Sequence, residues 1–250
     1  MSYSSRLAVT VAVAFTLTSL AFSQHYSIQD LGSLNNSRCS GAAAMSARRV
    51  VGTSGLPCDF VIRAFLWTPE SGMQDLGAFP GGDYSRGFGV NSHGTVVGEA
   101  SGNANGQSYV HAFSWTRGAG MHDLGILPGG TYSRAIGING SGLIVGYGDL
   151  ASDRQHAMLW SPSGVSDLGA ISGQAASVAA AINREGDVVG YAGSSAALWH
   201  ADGTYVDLGT LPGDFAAEAM AVSAGHQSSR VKRWVSIGEM SMRPSATSWR

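Results

Sequence analysis

The chain has 250 residues, 35 of them glycine, with 13% charged residues and a formal net charge of −2 at pH 7. That balance offers no overall basic excess for nucleic acid, and so many glycines with so few charges describe a turn-rich β protein. The one local bias is the tail after Ser229, which holds Arg230, Lys232, Arg233, Arg243 and Arg250.

The first residues read as a secretory signal. Arg6 is followed by an uncharged apolar run from Leu7 to Phe22, and Ala21-Phe22-Ser23 offers a small-x-small cleavage site. The run is short for a spanning helix and no stop-transfer pattern follows. Residues 1–23 are therefore expected to be removed on export to the periplasm or the medium, leaving no transmembrane span. An uncleaved anchor is the rival reading. Residues 24–250 are expected to form a single domain, although their length would also suit two small ones.

Beyond that point the sequence repeats. Asp-Leu-Gly begins at Asp30, Asp75, Asp123, Asp167 and Asp207, at intervals of 45, 48, 44 and 40 residues. Such a period suits propeller blades and exceeds that of leucine-rich or ankyrin units. Each period keeps one order of elements. A small, alternating strand A reads SRGFGVN (85–91), SRAIGIN (133–139) or SVAAAIN (177–183). An Asn-x-x-Gly turn leads to a β-branched strand B ending in Val-Gly at Gly98, Gly146 and Gly190. A variable loop precedes strand C, marked by Ala-x-x-Trp at 64–67, 112–115, 157–160 and 196–199, and a Gly turn leads to strand D with its Asp-Leu-Gly. Period-2 patterning with Gly/Asn turns predicts strands throughout, four to a period.

The fold class expected is all-β: a five-bladed β-propeller of four-stranded blades. Strand A suits the crowded axis and strand D the outside. The mature chain opens with a D strand, YSIQDLG (26–32), and closes with a C-like SATSW (245–249), so the N-terminal strand is expected to complete the last blade and remove the open edge. That blade, 217–250, is irregular: Ser223 to Gly238 spans 15 residues where the other units use seven. It holds either an insertion or a damaged or truncated end.

The units HAFSW…MHDLGILPGGTYSRAIGINGSGLIVGYG and RAFLW…MQDLGAFPGGDYSRGFGVNSHGTVVGEA resemble the bacterial extracellular repeat family named after its His-Ala-Phe (HAF) string. The resemblance runs strongly through the middle units and loosely after Ala221. It implies secretion and a propeller; it implies no activity and no set of catalytic residues.

A residue that recurs in every unit is expected to serve the unit. Trp67, Trp115, Trp160 and Trp199 are thus expected to pack between blades, with a sugar-stacking platform as the alternative. The Asp-Leu-Gly aspartates are expected to accept hydrogen bonds from turn amides. The seven histidines are scattered, two of them (His111 and His156) just before the Ala of a C strand. No His-Glu-x-x-His, Gly-x-Ser-x-Gly or phosphate-cradling loop occurs, so no catalytic residue, metal ligand or cofactor is assigned. The D–A and B–C loops share one rim, beside the mouth of the axial funnel. Tyr84, Arg86, Tyr132 and Arg134 enter strand A from that rim and form the candidate ligand-binding surface, the alternative being that they only brace blades. Cys39, in the place of Tyr84, and Cys58, in a B–C loop, lie on the same rim. A bridge between them would close a loop of roughly 20 residues and contribute about 3 kcal/mol; two unpaired thiols are the other possibility.

The expected function is a secreted, non-enzymatic binding or surface-interaction propeller. Its partner is an unknown extracellular ligand, glycan or protein, with carbohydrate the leading version and nucleic acid excluded. One alternative is a glycan-acting hydrolase with acids at the funnel, drawn from Asp83, Glu99, Asp149, Asp153, Asp214 and Glu218. Another is a structural envelope protein or an inactive remnant.

Overall fold

The computed structural model describes residues 28–37, 39–55, 61–151, 154–169, 176–223 and 233–234. The chain divides into two units, 1–30 and 31–250, and within the first the described residues 28–30 hold no helix or strand. The second is all-β, with one short 3-10 turn at Leu34–Asn36.

Four antiparallel four-stranded sheets follow one another along the second unit, each in simple chain order. The first is β1 (Ser40–Ser46), β2 (Arg49–Ser54), β3 (Arg63–Thr68) and β4 (Gly72–Asp75). The second is β5 (Ser85–Val90), β6 (Val96–Ala104), β7 (Gln107–Thr116) and β8 (Gly120–Asp123). The third is β9 (Ser133–Ile138), β10 (Ile144–Asp149), β11 (Gln155–Ser161) and β12 (Gly164–Gly169). The fourth is β13 (Ser177–Ile182), β14 (Val188–Ala192), β15 (Ser195–Trp199) and β16 (Tyr205–Gly209). These are the A, B, C and D strands predicted from the repeat.

The fifth unit, expected to be irregular, is described only in part. Among the described residues it holds only a two-stranded pairing of β17 (Glu218–Ala219) with β18 (Arg233–Trp234), and residues 28–32 carry no strand. The predicted C strand at 245–249 lies outside the described residues. After Gly32 the chain instead turns through Leu34–Asn36, whose Leu34 N–H donates to Ser54 Oγ on β2.

Consecutive sheets pack face to face, and each apolar cluster lies at such a seam. Val96 joins the cluster shared with the first sheet, whereas its neighbour Val97 joins the one shared with the third. Ile144 and Val145 split in the same way, as do Val188 and Val189. A strand covered on both faces has no polar side, which is why these B strands read as unbroken β-branched runs. The four repeated tryptophans are buried, and Trp115, Trp160 and Trp199 sit in these clusters as packing residues.

The glycine ending each Val-Gly has a steric cause. Strand A carries a one-residue bulge opposite it, with Gly87 and Gly89 facing Gly98 and Val97, so Phe88 is the extra residue. The same irregularity recurs between β9 and β10. A Cβ on Gly146 would lie 1.9 Å from the Arg134 carbonyl oxygen, and on Gly98 1.9 Å from that of Arg86. Gly146→Ala is expected to cost about 1–3 kcal/mol in urea unfolding, because backbone rather than a flexible side chain has to yield. A loss under ~0.5 kcal/mol would mean that the strands separate without strain.

Candidate functional site

The loops that lead into strand A are tied to the end of strand B in their own sheet. Ser101 Oγ accepts the N–H groups of Asp83 and Tyr84, and donates to Asp83 Oδ1. Asp149 does the corresponding work one sheet later, accepting from the N–H groups of Thr131 and Tyr132 and from the Thr131 hydroxyl. Burial alone would raise the Asp149 carboxyl, but these hydrogen bonds outweigh it and hold it below its ordinary value. Tyr84 and Tyr132 are thereby fixed at the entrances to β5 and β9, and each forms a parallel bridge to the preceding sheet, at Ile62 just before β3 and at Val110 on β7.

From these entrances three of the four predicted site residues converge on Glu99 of β6. Its side chain is 1% exposed. Tyr132 donates its hydroxyl to Oε2 at 2.6 Å, Arg134 Nε donates to Oε2 at 2.7 Å and Arg134 Nη2 to Oε1 at 3.0 Å. Arg86 Nη1 stands 3.5 Å from Oε1. The forked Arg134 contact fixes both carboxylate oxygens in one plane. Tyr84 joins through its ring, whose centroid is 5.8 Å from the Arg86 guanidinium. Arg134 lies 5.2 Å from the Phe88 ring, 5.8 Å from that of Tyr132 and 5.4 Å from that of Tyr147, all within cation–π reach.

Two guanidinium groups thus share one carboxylate. Arg134 makes both contacts of the fork. Arg86 has no such fork, because Thr53 on β2 stands where Glu99 stands on β6, so the first sheet offers it no acid. Among the described residues the buried Arg86 Nε has no hydrogen-bond partner, while 34% of the side chain is exposed. Burial pushes the Tyr132 hydroxyl far above its ordinary value, reinforced by its hydrogen bond to Glu99 and that carboxylate's charge. Burial also raises Tyr84, with Glu99 adding to it and Arg86 and Arg134 opposing. Both phenols keep their protons and can donate.

The cluster braces neighbouring sheets and also presents a half-buried cationic, aromatic surface. The aromatics are half-buried rather than freely exposed, so a ligand would meet ring edges and guanidinium planes. Glu99 is the residue that repeat reasoning undervalued, counting it only among the acids. It had a signal: the place after Val-Gly holds Thr53, Glu99, Tyr147 and Tyr191, and a lone charge there needs partners from the next strand A.

The remaining predicted acids are dispersed. Asp83 and Asp149 serve their loops as described, Asp153 lies outside the described residues, and the Asp214 N–H closes a turn onto the Leu211 carbonyl. Glu218, half-buried on β17, has its carboxyl pushed up by burial. Among the described residues no group of three or more His, Cys, Asp and Glu side chains comes together as a metal site. Cys39 lies just before β1 and is disulfide-bonded; Cys58, the only other cysteine of the sequence, lies outside the described residues.

The two motif strings of the repeat meet each other. Asp75, Asp123, Asp167 and Asp207 each accept the N–H of the glycine two residues on, at 2.7–2.8 Å. That glycine has a positive φ (77° at Gly77, 76° at Gly125), which the turn requires and a side chain would oppose. The second oxygen of Asp123 meets His111 Nδ1 at 2.9 Å, and Asp167 meets His156 at the same distance. Burial would raise the Asp123 carboxyl, but the hydrogen bonds from His111 and Gly125 outweigh it and hold it low. The histidine before Ala-Phe is therefore a strand C to strand D brace. Comparison of the chain with family models, with curated proteins and with solved structures found no match.

Proposed function

We propose that the chain is an exported, non-enzymatic binding module of the His-Ala-Phe repeat type. In this reading it closes as a five-bladed propeller and takes a hydroxyl-rich ligand, a saccharide, at Tyr84, Arg86, Tyr132 and Arg134. One observation carries the binding site: the partly exposed Arg86 guanidinium stands beside the Tyr84 ring, 3.5 Å from Glu99, on a framework tied by the Glu99–Arg134 fork. A preorganised site loses little side-chain entropy on binding, and Arg with Tyr supplies forked hydrogen bonds and a stacking face.

Ring closure has its own support. Ser40 Oγ donates to the Gly32 carbonyl, as Ser133 does to Gly125 and Ser177 to Gly169, each eight residues back. Gly32 thus stands toward the first sheet as Gly77, Gly125 and Gly169 stand toward the sheets after them. That is the relation expected of a D strand belonging to the fifth blade.

Titration against a glycan array, followed by calorimetry on the best binder, tests the site. Arg86→Ala is expected to weaken binding at least tenfold while moving stability by less than ~1 kcal/mol, since the group is partly exposed and lacks an ideal partner. Unchanged affinity in that variant would remove the site. Reducing sugar released by the wild-type protein would replace binding with hydrolysis.

A further inference from the structure

At the other ends of the strands, where the A–B and C–D turns emerge, a cleft of about 720 Å³ opens between the first and second sheets. Arg48 enters it from the β1–β2 turn, Arg49 from the start of β2, and Arg117 from the β7–β8 turn across the seam. Trp115 and Leu66 form its apolar wall, and among the described residues Glu70 is the only acid lining it.

The three guanidinium groups are poorly spent. Arg49 Nη1 donates to the Ser92 carbonyl at 3.1 Å, and Arg117 Nη2 reaches Ser71 Oγ at a long 3.4 Å. Arg48 has Glu70 at 3.9 Å, with both side chains at least 70% exposed, a geometry that holds little. Each Arg carries about five N–H donors, so most of this capacity faces the cleft and solvent. His93 adds a further donor to the same wall.

Nor does the repeat demand these cations. By strand register the place of Arg49 is held in the next three sheets by Thr95, Leu143 and Asp187. In the same registers Arg117 answers to Pro69, Pro162 and Ala201. A blade is therefore built without them. Three like charges around one cleft repel one another, so their concentration at a single seam calls for an anion.

We propose that this cleft is a binding site for a tetrahedral oxyanion, a sulfate or phosphate group, held by forked contacts from Arg49 and Arg117 with Arg48 closing over it. Its volume lies within the ~300–1,000 Å³ of small-ligand sites, leaving room for a ring against Trp115 when the group is borne by a sugar. The site is independent of the Tyr–Arg surface at the opposite rim.

Calorimetry at low ionic strength with inorganic phosphate, inorganic sulfate, a sulfated monosaccharide and its unsulfated parent tests this. Saturable one-to-one binding of at least one oxyanion, and none of the parent sugar, is expected. Tighter binding of the sulfated sugar than of inorganic sulfate identifies a sugar-borne group, and equal binding a free anion; either supports the site. Arg117→Gln and Arg49→Gln should each weaken binding at least tenfold with unchanged melting temperature, whereas Arg184→Gln, on a distant exposed turn, should leave it intact. Arg117→Gln alone decides the matter if Arg49→Gln unfolds the protein. Absence of saturable binding, or equal losses in Arg184→Gln, would overturn the proposal.

Discussion

Glu99→Ala is expected to destabilise the protein by about 3 kcal/mol, the low end of the ~3–5 kcal/mol range for breaking a buried ion pair. The low end applies because Arg134, its main partner, is 27% exposed and can recover some hydration. Removing the carboxylate strands three donors at once: the Tyr132 hydroxyl, Arg134 Nε and Arg134 Nη2. It also leaves Arg86 and Arg134 facing each other without a counter-charge. Urea unfolding measures the loss, and a double-mutant cycle with Arg134→Leu identifies its source. If the penalty is an uncompensated cation, Glu99→Leu/Arg134→Leu should regain most of the stability, since a well-packed apolar pair can replace a buried ion pair at little cost. The next seam shows that a blade tolerates this, with Tyr147 and Val178 in the places of Glu99 and Arg134. A double variant as unstable as the single one would place the loss in packing instead. Saccharide binding should fail in both, because Arg134 would no longer be held against the rings of Phe88 and Tyr147.

The four sheets were legible because the strands carry local marks: period 2, Gly or Asn turns between A and B and between C and D, and β-branched residues on strand B. The placement of Tyr84, Arg86, Tyr132 and Arg134 at one rim followed from strand direction alone. Their convergence did not. It depends on the bulge opposite Gly98 and Gly146, which re-aims strand A, and on which carboxylate the preceding sheet supplies. Repetition directs attention to what is shared, and Glu99 matters because it is not shared. The fifth unit was less legible for a related reason. Ala217 replaces the serine that opens the other A strands and Ser223 replaces the asparagine that closes them, so pattern matching held while two hydrogen-bonding side chains had been lost or shortened.

That lost serine matters in turn. Ser133→Ala is expected to cost about 2–4 kcal/mol, more than its small volume suggests. The side chain is fully buried; its Oγ accepts the Ala112 N–H at 2.9 Å and donates to the Gly125 carbonyl at 2.7 Å. Ser177 repeats both contacts one seam later, on Ala157 and Gly169, and Ser85 repeats them one seam earlier, on Ala64 and Gly77. One hydroxyl thus satisfies a strand C amide and a strand D carbonyl of the preceding sheet, where no other strand can reach them. Alanine removes neither backbone group and hydrates neither, and each buried group left unpaired costs about 1–3 kcal/mol. Hydrogen exchange at Ala112 should accelerate by at least tenfold, whereas exchange within β14 should change only through the global loss. Because Ser133 and Ser177 serve different seams, their alanine variants should add to within ~0.5 kcal/mol. The β17–β18 pairing shows the limit of the device. Ala217 keeps its backbone bond to the Ser194 carbonyl but has no hydroxyl to offer, and among the described residues the pairing beyond it is that of Glu218 and Ala219 with Trp234 and Arg233. Ala217→Ser should therefore raise stability if the Ala196 N–H and the Gly209 carbonyl await a partner as their counterparts do at the other seams; no gain would mean that this seam is held differently.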